Sequence, residues 1–434
     1  MSDLSDMQGI VRTGYGDLLH SVMCVLTFSA PERFAELIKV LPLHTAADPA
    51  TQQVASVALT QAGLRFLGLD DEAFDTFAPE FVLGMHNDTY AQHIGDTDAA
   101  DKPASWRWGD ADTHAVVFCY ADHPSTGLPS YLAGFQGEVS YLLPTQWRGV
   151  DASGFSDGLS NPHPLGSASR APDSALGEYV LGYPDSHGSV EQVPYVRADL
   201  DRSHVLLPAE PYYGETAPQK SLGLNGSYMV VRQLEEHPND FHNYANSVGA
   251  GLGESADWVQ EKIMGRRKKG MHLVPDVAPD DELSFVPRDS VGQHCPVGSH
   301  IRRAHPRDSL GESAAESIRD AAHHRILRRG RQYQDDDGMR GTLFVCLQAS
   351  IGRQFEHVLK TWLRNRKFSP NGEEQDPLTA SSAGTQFALV RDGVARRLDP
   401  APKLTTMRGG ALLFLPSLRC LHFLARLNDL KGNE

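Results

Sequence analysis

Apolar positions along the chain fall into two rhythms. Short, nearly continuous apolar runs of strand length cover His20 to Phe28, Val54 to Leu59, Ala115 to Tyr120 and Val139 to Leu143 in the first half. The second half repeats them at Ser227 to Leu234, His324 to Arg329, Thr342 to Gln348 and Ala411 to Leu415. Helical spacing falls between them, over Pro31 to Val40 and Pro238 to Val248, each opened by a proline in its first turn. Further helical stretches run through Leu64 and Phe66, near Tyr131, from near Ala256, and over Arg353 to Arg366. Each half approximates β-α-β-β-α-β. The predicted fold class is therefore α+β, two ferredoxin-like halves with mostly antiparallel sheets, dividing into residues 1–220 and 221–434. Thr97 to Trp106, Asn161 to Ser186 and Arg366 to Gly384 are rich in Asp, Pro, Ser or Gly and read as loops.

A chain of 434 residues can bury a core, and an interior cofactor cavity, without disulfide staples. The net charge of −15 repels phosphate backbones and anionic lipid headgroups, so neither nucleic acid nor a membrane surface is expected as a partner. The first six residues carry Asp3 and Asp6 and no basic residue, unlike a secretory or twin-arginine signal; a cytoplasmic protein is expected. The apolar runs are far shorter than the roughly 18 residues of a membrane span. The cysteines are scattered without a CxxC pair, and Cys24, Cys119 and Cys346 sit in strand-like runs, as buried free thiols do. Arg266, Arg267, Lys268 and Lys269 end the helix begun near Ala256 and read as a solvated cap favoured by the helix dipole.

Three motifs could carry chemistry. Gly154-Phe155-Ser156-Asp157-Gly158 formally contains GxSxG, but a nucleophile elbow needs a strand leading in and a helix leading out. Asn161-Pro162-His163-Pro164 argues against that helix, and Gln146 to Ser153 is not a buried strand. What remains is an Asp-Gly turn, or a backbone brought close to a flat ligand with Asp157 above it. The segment His294 to Arg307 holds His294, His300 and His305 with Cys295, a spacing unlike standard zinc sites. Its Arg302, Arg303 and Arg307 suit an anionic ligand. The third motif runs from His324 to Tyr333. Along a strand Ile326 and Arg328 share one face, and Leu327 and Arg329 the other. One arginine is thus aimed inward and needs a carboxylate or anionic ligand, unless the strand is a solvated basic edge.

In this order, the GFxDG run, the CPxxxHIRxxxPR segment and the ILRxxxxY strand resemble the dye-decolorising peroxidase family. Asp6-Met7-Gln8-Gly9, Ala58-Leu59-Thr60-Gln61-Ala62-Gly63-Leu64, Phe344 to Ala349, Gln354-Phe355-Glu356 and Gly409 to Ser417 extend the resemblance over nearly the whole chain. It implies a haem peroxidase carrying haem b in its C-terminal half, which reduces hydrogen peroxide and oxidises dyes or small phenolic compounds by one-electron steps. Carried over residue by residue, His300 is the axial ligand of the haem iron, and Asp157 and Arg328 are the catalytic acid and arginine on the opposite face. Arg329 is the competing arginine. Phe344 would line the haem beside Asp157 and Arg328. Where some members have an asparagine two residues after the arginine, this chain has Gly330. The second nitrogen of His300 should donate to a carboxylate or carbonyl, with Asp376 one candidate. Large dyes would be oxidised at surface aromatics, for which Trp147, Trp258, Trp362 and Tyr333 are available. A dimer or larger homo-oligomer is also implied. The competing functions are a haem-handling, iron-releasing protein of the same fold and, remotely, a serine hydrolase at Ser156.

Overall fold

The computed structural model describes residues 2–124, 127–165, 174–209, 218–277, 283–335 and 337–427. Of the loop predicted over 161–186, residues 166–173 lie outside that set.

In the first half, strands β1 (His20–Leu26), β2 (Gln53–Leu59), β3 (Ala115–Ala121) and β4 (Val139–Gln146) form one antiparallel sheet in the order β2-β3-β1-β4. In the second half, β5 (Ser227–Glu236) lies between β8 (Arg340–Gln348) and β9 (Thr405–Leu415), and β8 pairs outward with β6 (Leu327–Arg328) and β7 (Arg331–Gln334). This is the ferredoxin-like strand order laid down twice. The free edges then meet. Phe414 of β9 pairs with Leu59 of β2, and Thr145 and Gln146 of β4 pair with Tyr333 and Gln332 of β7, all antiparallel. The sheet closes on itself, which removes exposed strand edges.

Period-two alternation divides the strand side chains between two cores. Inward-facing Met23, Val25, Val116, Phe118, Met229, Val231, Val345 and Leu413 fill the barrel together with Met7, Ile10 and Tyr15 of the N-terminal segment. Outward-facing Val22, Cys24, Val57, Val117, Val230 and Leu412 pack under helices, among them α1 (Glu32–Val40). Among the helices of the second half are α2 (Pro238–Leu252), α3 (Ala256–Met264), α4 (His300–Ala304), α5 (Ala314–His323) and α6 (Ile351–Leu363). All five cysteines are free and buried. Among the described residues no helix is long and apolar enough to cross a membrane.

Three predicted elements differ from those observed. The strand expected over His324 to Arg329 shrinks to Leu327–Arg328, because α5 occupies the chain up to His323. The helix expected over Arg353 to Arg366 starts at Ile351 and is wound as a wide π-helix, a form frequent at functional sites. The last strand begins at Thr405 rather than Ala411. Its Gly409 is required there, since a Cβ would sit 2.3 Å from the Trp108 indole nitrogen.

Candidate functional site

On the outer face of the second-half sheet lies a cavity of about 380 Å³, of the size that cofactor and ligand clefts have. Ile326, Arg328 and Phe344 line it from the strands, the loop 151–162 covers one side, and His300, Ile301 and Ala304 of α4 face it from the other. The four predicted residues Asp157, His300, Arg328 and Phe344 are brought together here, although they span 188 positions of sequence (344 − 157 = 187, plus one).

Strand alternation decides between the two arginines. Arg328 shares the cavity face with Ile326, and its Nη2 donates to the Leu159 carbonyl at 2.7 Å. Arg329 points into the barrel, where Nε donates to the Ile10 carbonyl (2.6 Å) and Nη2 to that of Val11 (2.8 Å). Burial lowers the Arg329 pKa to about 10, against the pull of Tyr120, Tyr15 and Tyr179. It anchors the N-terminal segment and does not line the cavity.

Asp157 follows a turn in which Gly154 adopts φ 86°. Its Oδ1 accepts from the Gly158 N–H at 2.6 Å and its Oδ2 from the Gln332 amide Nε2 at 2.9 Å. Gln332 is fixed in turn, because its Oε1 accepts from the Arg148 N–H at 3.1 Å. An amide thus reaches Asp157 from two positions beyond Gly330, a contact that sequence reasoning missed. Asn161 brackets Arg328 from the same loop, donating to its carbonyl (2.9 Å) and accepting from its N–H (3.0 Å). No helix follows Ser156, and its hydroxyl donates to the Lys268 carbonyl at 2.9 Å, so the nucleophile-elbow geometry is absent.

On the opposite wall, His300 Nδ1 lies 2.8 Å from Asp376 Oδ2. Asp376 is fully buried, which alone would raise its pKa. His300 and donors from the Thr379 hydroxyl and the Leu378 N–H outweigh burial and hold it below the usual carboxylate range. An ionised Asp376 fixes Nδ1 as the proton-bearing nitrogen and leaves the Nε2 lone pair available to a ligand in the cavity.

Two expectations about charge need correction. Arg302 and Arg303, read as part of an anion site, do not line the cavity. Arg302 donates to the carbonyls of Asp289 and Cys295. Arg303 gathers those of Gly298, Trp362, Leu363, Asn365 and Glu374, and so ties α4 to the end of α6. Only Arg307 of that trio reaches the cavity. Arg266, read as part of a solvated cap, is 3% exposed and also lines it, with Nη1 donating to the Gly270 carbonyl and Nη2 to the Ser160 hydroxyl. His305, between Arg307, Arg325 and Arg328 at the cavity wall, is pushed well below the usual imidazole range by burial and by those charges.

None of Trp147, Trp258, Trp362 and Tyr333 lines the cavity. Trp362 is 4% exposed and meets the stacked pair His324–His357 edge-on at 5.2 and 5.0 Å. Among the described residues one other cluster has metal-like spacing, Glu178, Asp185 and His323. Arg353 already supplies its cation, with Nη1 2.7 Å from Glu178.

The donor set fits haem. A neutral imidazole backed by a carboxylate is a haem-iron ligand, apolar Ile301, Ala304, Phe344, Leu359 and Leu363 suit a macrocycle, and Arg266, Arg307 and Arg325 suit its carboxylates. Fold and cavity together fit one class, the haem peroxidases.

Residues 216–390 match the family description "Dyp-type peroxidase, C-terminal". The chain is 30% identical over 230 residues to the multifunctional dye peroxidase DyP2 of Amycolatopsis sp., an alignment spanning 46% of this chain and about half (49%) of that relative. It is 24% identical to the dye-decolorizing peroxidase msp1 of Mycetinis scorodonius, over 96% of this chain and 87% of the relative. In fold it superposes on the DyP-type peroxidase of Anabaena sp. with a TM-score of 0.73 at 20% identity, covering 98% of this chain and 94% of that one. A dye-decolorizing peroxidase solved with 2,6-dimethoxyphenol gives 0.74 at 19% identity, covering 98% and 100%. In sequence the chain is thus similar to the DyP-type, dye-decolorizing peroxidases along nearly its whole length, and its cofactor is a haem.

Proposed function

We propose that His300 would hold the iron of a haem b, that Asp157 and Arg328 handle hydrogen peroxide from the opposite wall of the cavity, and that dyes and small phenolic compounds such as 2,6-dimethoxyphenol are the electron donors. Carrying this reading is one cavity walled by His300 with Asp376 on one side and by Asp157, Arg328 and Phe344 on the other. We further propose that the chain divides near residue 220, between β4 and β5, into its two halves.

When bound, the haem supplies the redox-active iron at which the peroxide O–O bond breaks. The protein's part is to move a proton and balance charge. The Asp157 carboxylate takes the proton from one peroxide oxygen and returns it to the other, which leaves as water. Gly158 and Gln332 hold both carboxylate oxygens in fixed directions, so the acceptor is oriented before peroxide arrives. The Arg328 guanidinium, held by the Leu159 carbonyl, offers its remaining N–H donors to the oxygen on which negative charge develops. Among the described residues no ion pair ties Arg328 to Asp157, so its charge is not consumed by that carboxylate. Asp376 keeps His300 in the tautomer that ligates.

Rapid mixing of the haem-loaded protein with hydrogen peroxide tests this. Asp157→Asn and Arg328→Leu should each slow the reaction by about 10²–10³-fold, and His300→Ala should lose the haem. Wild-type rates in both first variants would refute the assignment.

A further inference from the structure

The loop that carries Asp157 also covers a second carboxyl. Alternation along β5 turns Arg232, Leu234 and Glu236 toward the cavity, while Glu235 points the other way and pairs with Arg408 at 2.5 Å. Glu236 has no such partner, for among the described residues no cation pairs with it. Its Oε1 accepts from the Thr342 hydroxyl across the sheet at 2.6 Å, and its Oε2 from the Ala152 N–H at 3.2 Å. Asp151 and Asp157, on the same loop as Ala152, both lie close enough to act on it electrostatically. Three carboxyls thus border one partly enclosed space, where Asp151 and Asp157 disfavour ionisation of Glu236.

The groups around them differ. Asp157 is held by two N–H donors, which can serve only an acceptor. Asp151 Oδ1 likewise accepts from the N–H groups of Ser153 (2.9 Å) and Phe155 (2.8 Å). Glu236 alone faces a hydroxyl, which can give or take a hydrogen bond and therefore accommodates a protonated carboxyl. Facing the same cavity are Arg232 on its own strand, His237 at the start of α2, Arg328 on β6, and Arg266 and Arg267 after α3. These charges leave the balance in favour of the neutral form. Enclosure comes first, Asp151 and Asp157 add to it, Thr342 and Ala152 oppose it, and the Glu236 pKa ends at about 7.

We propose that Glu236 is a second proton-exchanging carboxyl of this cavity: Asp157 returns to the leaving oxygen the proton it takes, while Glu236 gives its own proton to the second oxygen as the reducing substrate supplies electrons, and regains it from solvent. Reducing one hydrogen peroxide to two waters consumes two electrons, which the reducing substrate supplies, and two protons. Glu236 provides one of these protons per turnover and ends each cycle reprotonated, so atoms and charge balance. Environments that push neighbouring acids apart are what divides acid from base in a site. This proposal rests on the peroxidase reading above.

An infrared pH titration of the haem-loaded protein is the direct test. The carbonyl stretch of a protonated carboxyl should be present in mild acid, disappear with a midpoint near 7, and be missing from Glu236→Gln. Thr342→Ala, which removes the hydroxyl donor, should move that midpoint upward and provides the same reading if Glu236→Gln folds poorly. In steady turnover with a phenolic reductant at saturating peroxide, the wild-type rate should fall as pH rises through the same midpoint. Glu236→Gln should be on the order of tenfold slower near pH 6 and flat with pH, and Glu236→Asp should recover part of both rate and slope. A titrating band that persists in Glu236→Gln, or a wild-type rate and profile in that variant, overturns the proposal. If Asp157→Asn is slowed in rapid mixing with peroxide, the wider peroxidase reading still stands. If Asp157→Asn is not slowed, that reading fails by itself.

Discussion

The two walls of the cavity are built on different principles. On the His300 wall every polar atom that matters is committed to another part of the chain: Nδ1 to Asp376, Asp376 to Thr379 and Leu378, and Arg303 to five carbonyls of the surrounding segments. On the Asp157 wall the functional groups are half-buried, they sit on a loop and strand ends, and their charges conflict. One wall is a rigid mount and the other a set of exchangeable protons. The cost of changing a residue should follow that division.

The largest effect belongs to the mount. Arg303→Leu takes the donor from five interior carbonyls; those of Leu363 and Asn365 keep the Asp376 and Phe368 N–H groups, while those of Gly298, Trp362 and Glu374 lose it at about 1–3 kcal/mol each. A loss on the order of 4–5 kcal/mol is expected in denaturant titration, with the variant folding poorly. A loss under about 1 kcal/mol would show that the wall is not held this way.

Next comes Arg328→Leu beside Arg329→Leu. The first should slow the peroxide reaction by about 10²–10³-fold while moving stability by less than about 1 kcal/mol. The second should leave the reaction nearly unchanged and cost about 3 kcal/mol, since Ile10, Val11 and Arg328 lose their common donor. Reversed outcomes would exchange the two roles.

These neighbours also show what was readable in advance. Period-two alternation announced that one arginine of the pair faces inward, and the family motif chose Arg328 for the site. The succession of strands and helices in each half followed from the apolar runs, because seven of the eight overlap full strands and only His324 to Arg329 shrank, to Leu327–Arg328. Closure of the barrel did not follow, for it rests on Phe414 meeting Leu59 and on Thr145 and Gln146 meeting β7, contacts without a local signature. Arg302 and Arg303 looked like an anion site because a basic cluster has the same local appearance whether it binds a ligand or carbonyls. Glu236 carried no signal in the sequence, since Leu-Glu-Glu ends an apolar run just as solvent-exposed termini do. Only the loop folding back from Ala152 encloses it. Asp376 could be named as a candidate for His300 but not selected, as 76 residues separate the pair.

Asp376→Asn sharpens the comparison from inside the mount. The amide keeps the shape but not the charge, so His300 loses the acceptor that fixes its tautomer. Haem affinity should fall about 10–100-fold, read by transfer of haem to an apo-acceptor protein. Unchanged retention would mean that packing alone positions the imidazole.

The smallest effect is a pH dependence of stability on the other wall. Glu236 is raised from the ordinary glutamate value to about 7 by enclosure and its acidic neighbours. The folded state therefore binds this proton more tightly than the unfolded chain does. The stabilisation is complete below the ordinary glutamate range and is lost as pH rises through about 7. Glu236→Gln has no proton to lose. Its stability relative to wild type should improve by about 1–2 kcal/mol between pH values near 5 and 8, less than the full shift implies because the cavity admits water. Asp376, held low rather than high, contributes with the opposite sign: its stabilisation is present above the ordinary aspartate range and lost in acid as the pH falls through its lowered value. Denaturant titrations of Glu236→Gln and Asp376→Asn against wild type should thus show differences that run in opposite directions with pH. If both ran the same way, the contrast between a charged mount and a proton-bearing wall would be wrong.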